Sequence, residues 1–136
     1  AQAITDAGAV STNAYDLGDV TPKRQVGTGT PLCIMVVVTT AAAGGGSLAD
    51  TFVFRAISSA ASALTSPTVL AAVYPTAAAL VAGAVVVIPI PPGTPNQRYL
   101  GADYDTGTGD TVSVSAWVIP QDMVQEFLAY AKNYAV

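Results

Sequence analysis

A chain of 136 residues is enough for one domain and too short for two well-buried cores. Apolar residues make up 51% and charged residues only 10%, where roughly a quarter charged is ordinary, so much of the exterior has to be Ala, Ser, Thr and Gly, a surface that desolvates cheaply against a partner. Five scattered cations against nine acids give a net charge of −4, which excludes the clustered basic patch that direct nucleic-acid binding requires.

In chain order the segments read as strands broken by turn residues, the pattern of an all-β sandwich. A first strand is expected over Ser11 to Leu17, closed by Gly18-Asp19. A polar, Gly-rich loop follows from Thr21 to Thr30, and Pro31 opens a nearly continuous apolar strand over Leu32 to Thr40, consistent with burial on both faces. Ala41 to Asp50, carrying Gly44-Gly45-Gly46, is expected to be an exposed loop. Thr51 to Ile57 alternates, with Phe52, Phe54 and Ala56 on one face and Thr51, Val53 and Arg55 on the other.

Ser58 to Pro67 is expected to connect to a short strand over Thr68 to Tyr74. Ala77 to Ala82 is ambiguous, because Ala favours helix while its surroundings favour sheet. Val85 to Ile90 is a strand, ended by the turn Pro91 to Asn96. Arg98 to Tyr104 is another, with Leu100, Ala102 and Tyr104 on one face, and Asp105 to Asp110 then reads as a hairpin-type loop. Thr111 to Ile119 alternates most cleanly, placing Val112, Val114, Ala116 and Val118 opposite Ser113, Ser115 and Trp117.

The body is therefore residues 1–120 and the tail residues 121–136. From Gln121 to Tyr134, Met123, Phe127, Tyr130 and Tyr134 fall at helical spacing, with Asp122 near the start to favour the helix dipole. So short a helix is marginal alone. Its stripe has to lie on its own sandwich or on a neighbouring subunit.

The run from Val69 to Ile90 is apolar enough to raise a membrane span. Pro75, Gly83 and the closing prolines, with the β-branched Val85-Val86-Val87-Ile88, make strands the expectation instead. No membrane partner is expected. The N-terminus lacks the basic region and apolar stretch of a signal peptide. Cys33 stands alone, so no internal disulfide forms, and its apolar setting makes a buried thiol the expectation.

Chemistry is sparse. The chain has no His, one Cys and one Glu, Glu126, so the commonest general base and metal ligand is missing. An enzyme is not expected, nor a cofactor. Asp103, Asp105 and Asp110 flank a Gly-rich loop but do not follow a calcium-loop order, and turn roles explain them better. Gly27-Thr28-Gly29 lacks the strand-to-helix context of a phosphate loop. Trp117, Tyr99 and Tyr104 could form a platform for sugar rings, as in a carbohydrate-binding lectin-like sandwich, although aromatics in alternating strands are more often core or interface.

The order Ala1-Gln2-Ala3-Ile4-Thr5, Ser11-Thr12-Asn13, Asp16-Leu17-Gly18 and Gly29-Thr30-Pro31-Leu32 resembles the jelly-roll capsid cement proteins of podophages, with the Bordetella phage cement protein as type. Thr65 to Leu70, Leu80-Val81-Ala82-Gly83, Val87 to Gly93, Arg98-Tyr99-Leu100 and Gly107-Thr108-Gly109 continue the family's order, so the resemblance runs to about Pro120. It implies a β-jelly-roll, to which the residue spacing after Pro120 adds a short C-terminal helix or arm. The implied role is a capsid decoration protein on the outer surface of a virion, assembled in the bacterial host cytoplasm. It would bridge capsomers of a major capsid protein with the HK97-type fold, and self-associate as a dimer, a trimer being the alternative. Two departures stand out: the leader usual in the family is not seen before Ala1, and the tail is longer and more apolar.

Contact residues are expected where exposure and chain freedom coincide, at Ala1, Ile4, Gly45, Pro92, Asn96, Met123, Phe127 and Tyr130. The rival classes are the sugar-binding sandwich and a fibre subunit that exchanges strands.

Overall fold

The computed structural model describes residues 1–5, 9–18, 29–44, 51–92, 97–106 and 110–133, with side chains to Leu128. Two antiparallel sheets face each other. Sheet A has the order β1 (Gln2–Thr5), β9 (Asp110–Pro120), β4 (Leu32–Gly44), β7 (Val85–Pro89). Sheet B has the order β2 (Ala9–Val10), β8 (Tyr99–Asp105), β5 (Val53–Ser59), β6 (Thr68–Val73), with β3 (Tyr15–Asp16) also on β8.

The chain alternates between layers: β4 hands over to β5, β6 to β7, β7 to β8 and β8 to β9 across the sandwich. Period-two alternation then builds the core. Ile34, Val36 and Val38 of β4 meet Phe54 and Ala56 of β5 and Leu100, Ala102 and Tyr104 of β8. Phe54 and Tyr104 pack edge to face, centroids 5.3 Å apart. The face assignments for β5, β8 and β9 hold.

Several expectations need correction. Gln2 to Thr5 is a strand, pairing with Thr111 to Val114 of β9. The expected Ser11–Leu17 strand is only Tyr15–Asp16, preceded by the separate β2. Ser11 explains the break. Its N–H donates to Ala102 O, but its hydroxyl replaces the carbonyl as acceptor of the Ala102 N–H, so the ladder is interrupted. β4 continues through the expected loop to Gly44, carried past two irregularities after Val38 by its pairing with Thr111 and Asp110. β5 likewise runs on to Ser59.

The Asp105 to Asp110 segment does not join a hairpin, because β8 and β9 belong to different sheets. Alternation reports which side chains are inward, not which layer a strand enters. The ambiguous alanines form a 3₁₀ turn over Ala77–Ala79. The apolar run from Val69 to Ile90 is thus split into β6, this turn and β7, and no helix among the described residues is long and apolar enough to cross a membrane.

After a 3₁₀ turn (Gln121–Met123), helix α1 (Val124–Asn133) lies on the outer face of sheet A. The residues that dock it are Val124 and Leu128, one helical turn apart, over Cys33, Met35 and Ile119. The helix therefore packs on its own sandwich, but through a stripe adjacent to the expected one. Met123 and Phe127 are left exposed.

Candidate interaction surface

The phase of hydrogen bonding along β4 determines which groups of β9 are free. Val38 N–H donates to Ala84 O, Gly83 N–H to Val38 O, and Ile90 N–H to Leu32 O, so the even-numbered residues of β4 face β7. The odd-numbered residues face β9, and their register partners there are Ile119, Trp117 and Ser115. The N–H and C=O groups of Ala116 and Val118 consequently point to the opposite side, the lane of β1. The last register pair in that lane is Gln2 with Val114, and among the described residues none pairs with Ala116 or Val118 on that side.

Side chains shape the ground beside it. A groove of about 490 Å³ runs along this part of β9, lined by Tyr15, Leu100, Ala116, Trp117, Val118 and Phe127 among others, with no charged residue. Trp117 is 46% exposed, Tyr15 56% and Phe127 39%. A smaller depression of about 390 Å³ adjoins it, with Ala1, Gln2, Ser115 and Trp117 in its wall. Gln2 ties sheet A to sheet B: its Nε2 donates to Val10 O and its Oε1 accepts from Thr12 N–H.

The expected contact residues are only partly assembled here. Ala1 is exposed and borders the smaller depression, and Phe127 borders the groove. Met123 is exposed on the turn before α1, and Pro92 is exposed beyond β7, on the far edge of sheet A. Ile4 is a correction. Opposite Val112 on β9 it points inward and is fully buried in the core, so its side chain cannot serve as a contact. Gly45 and Asn96 lie outside the described residues, as does the side chain of Tyr130. The grouping of Tyr15 and Trp117 with Phe127 around one groove was missed, because strand and helix neighbours decide it and no residue type signals it.

No sugar platform forms from the three aromatics weighed in the sequence. Tyr104 is buried, with its hydroxyl's pKa pushed above the ordinary value by desolvation first and by Asp103 second. Tyr99 lies under the Arg98 guanidinium on sheet B, while Trp117 stands on sheet A. Asp103 and Asp105 turn towards Arg55 of β5. Among the described residues no group of three or more His, Cys, Asp or Glu side chains could hold a metal ion.

A search of curated proteins returned no match. The family model described as Bbp16 matches residues 1–118, nearly all of the sandwich up to Val118 of β9, and leaves α1 outside. The chain belongs to the Bbp16 family, a phage-related family whose name points to a Bordetella phage protein.

Proposed function

We propose that the protein is a capsid cement protein, which binds the outer surface of a phage head and bridges neighbouring capsomers of an HK97-type major capsid protein. The observation that carries this reading is a groove without charged residues, flanked by the exposed aromatic side chains of Tyr15, Trp117 and Phe127, in a member of a phage-related family. A surface of this kind can bind a partner through apolar contact without charged residues. The strand orders β1-β9-β4-β7 and β2-β8-β5-β6 are read as the jelly roll that the sequence resemblance implies.

Packaged DNA pushes capsomers apart, and a protein seated across their seam stabilises the shell by its binding free energy at every copy. A net charge of −4 keeps such a protein from competing for DNA. In this reading no reaction is catalysed and no cofactor is used, and the protein self-associates as a dimer on the shell.

Heads assembled without the protein, mixed with the purified chain and sedimented, test the reading. Uptake to saturation, with heads that then withstand higher temperature before releasing DNA, is the expected result. Failure to co-sediment, together with reproducible hits on a glycan array, would favour the sugar-binding class. Polymers formed by the chain alone at high concentration would favour a fibre subunit.

A further inference from the structure

We propose that the outer edge of β6 is where a second copy of this chain docks, the two β6 strands pairing antiparallel across a two-fold axis at Val73. This deepens the cement reading by naming the surface for self-association, and rests on that reading for the expectation of a dimer.

Register fixes which groups of β6 point outward. Ser11 N–H donates to Ala102 O, so Ala102 faces β2 and the odd-numbered residues of β8 face β5. Arg55 stands opposite Asp103, which leaves Phe54 and Ala56 facing β6, where their partners are Val73 and Ala71. Phe52 N–H donates to Pro75 O in the same phase. The N–H and C=O groups of Ala72 and Tyr74 consequently point away from β5, and among the described residues no strand lies beyond β6. This edge is on the opposite side of the sandwich from β1 and β2. Tyr74 is 66% exposed there and Val69 53%.

Three observations select a second copy. First, no Asp, Glu, Lys or Arg occurs between Arg55 and Arg98, a run that holds β6, the 3₁₀ turn and β7. A two-fold axis sets each residue near it against its own copy, so on this side two chains of net charge −4 meet without juxtaposing like charges. Second, the two edge strands on this side are guarded differently. Ala84 O and Ile90 N–H bond to β4, so the odd-numbered residues of β7 point outward, and Pro89 among them has no N–H to offer. β6 carries neither proline nor charge. Third, the register is self-complementary. With Val73 opposite its own copy, Ala72 and Tyr74 exchange hydrogen bonds on both sides of the axis, and each exposed Tyr74 ring lies beside a small Ala72. The register shift in β6 falls between Ala71 and Val69, outside this stretch.

Sedimentation equilibrium follows wild type, Ala72→Glu and Ala72→Pro over a concentration series, with thermal melts alongside. Ala72 stands opposite Arg55, so a glutamate there gains a cross-strand partner in the single chain but sets two acids close together across the axis. Ala72→Pro removes an N–H that the single chain does not use. Val73→Cys tests the register itself. A non-hydrogen-bonded pair brings its Cα atoms to about 4.5 Å, within disulfide reach, and the native Cys33 is buried.

Expected are a concentration-dependent wild-type dimer, a dissociation constant raised about tenfold or more in both variants, and a disulfide-linked dimer of Val73→Cys under mild oxidation. Should Ala72→Pro misfold, Ala72→Glu and the cross-link decide. Folded variants that dimerise like wild type overturn the β6 pairing, as does a wild type that stays monomeric with Val73→Cys not cross-linking. A monomeric wild type that loses uptake on heads through Ala72→Glu overturns it in favour of a capsid segment on the same edge. Dimers that form as expected but are not taken up by heads overturn the cement reading alone.

Discussion

Arg55 and Asp103 stand opposite each other on β5 and β8, and Nη1 of the guanidinium lies 2.6 Å from Oδ2 of the carboxylate. Nη2 reaches Asp105 Oδ2 at 3.5 Å, so one cation bridges two acids on the outer face of sheet B. The hydrogen bond to Asp103 is the main reason that the Arg55 pKa is raised above its ordinary value. On the arginine side the pair is therefore lost only as pH rises through the arginine range. Both partners are partly solvated, which discounts the pair. Arg55→Met is expected to cost about 1 kcal/mol, and Arg55→Lys to recover only part of it because the two-acid fork is lost. Urea midpoints at neutral pH, with unchanged slope, check this.

A second pair carries the acid sensitivity. Asp16 of β3 accepts hydrogen bonds from Arg98 Nε and Nη2 at 3.0 and 2.9 Å and from Gly18 N–H at 2.8 Å. The Arg98 bond first, and the Gly18 bond second, hold its carboxyl below the usual 3.8. A lowered folded value means that the contribution is complete above 3.8 and is lost as pH falls below it towards that value. Comparing melting temperatures at neutral pH and near pH 3 tests this: Asp16→Asn should shrink the acid-induced drop. An unchanged drop would show that the pair does not stabilise the fold.

Cys33 reports on whether α1 stays docked. The thiol is buried under Val124, and desolvation pushes its pKa up. The native protein should resist a thiol-specific disulfide reagent at pH 8 and react on unfolding. Val124→Ala should cost about 1–2 kcal/mol and speed labelling, and truncation before Gln121 should speed it further. Labelling rates unaffected by either change would mean that the helix does not shield the site.

Gly101 shows a packing limit that spacing alone does not reveal. A Cβ there would collide with the Cδ1 of Leu64 and approach Ser11 Oγ to 2.9 Å. Leu64 is buried with φ of 54°, held by its N–H bond to Ala61 O, so it has little room to withdraw. Gly101→Ala is expected to destabilise by about 1–3 kcal/mol, measured as a shift in urea midpoint. Neutrality would show that the Leu64 turn yields.

Ser58 predicts the opposite sign. Its hydroxyl is fully buried with no hydrogen-bond partner among the described residues, so Ser58→Ala removes an uncompensated polar group and should stabilise by up to about 1–2 kcal/mol. A rise in melting temperature is the expected readout.

The amino-acid sequence by itself determined the all-β character, the inward faces of β5, β8 and β9, the buried thiol and a helix after Pro120. Each follows from local periodicity, since side chains two apart on a strand share a face whichever sheet receives it. The layer was decided only in three dimensions. Asp105 and Asp110 end strands in different sheets, Ile4 becomes core because β1 finds β9, and α1 docks through Val124 where Met123 and Phe127 were the visible stripe. The candidate surface belongs to the same class. Ala116 and Val118 look like any alternating pair, and only the fold sets them beside Tyr15 and Phe127 around one groove. Which hydrogen bonds are satisfied depends on strand neighbours distant in the chain, and residue spacing carries no record of them.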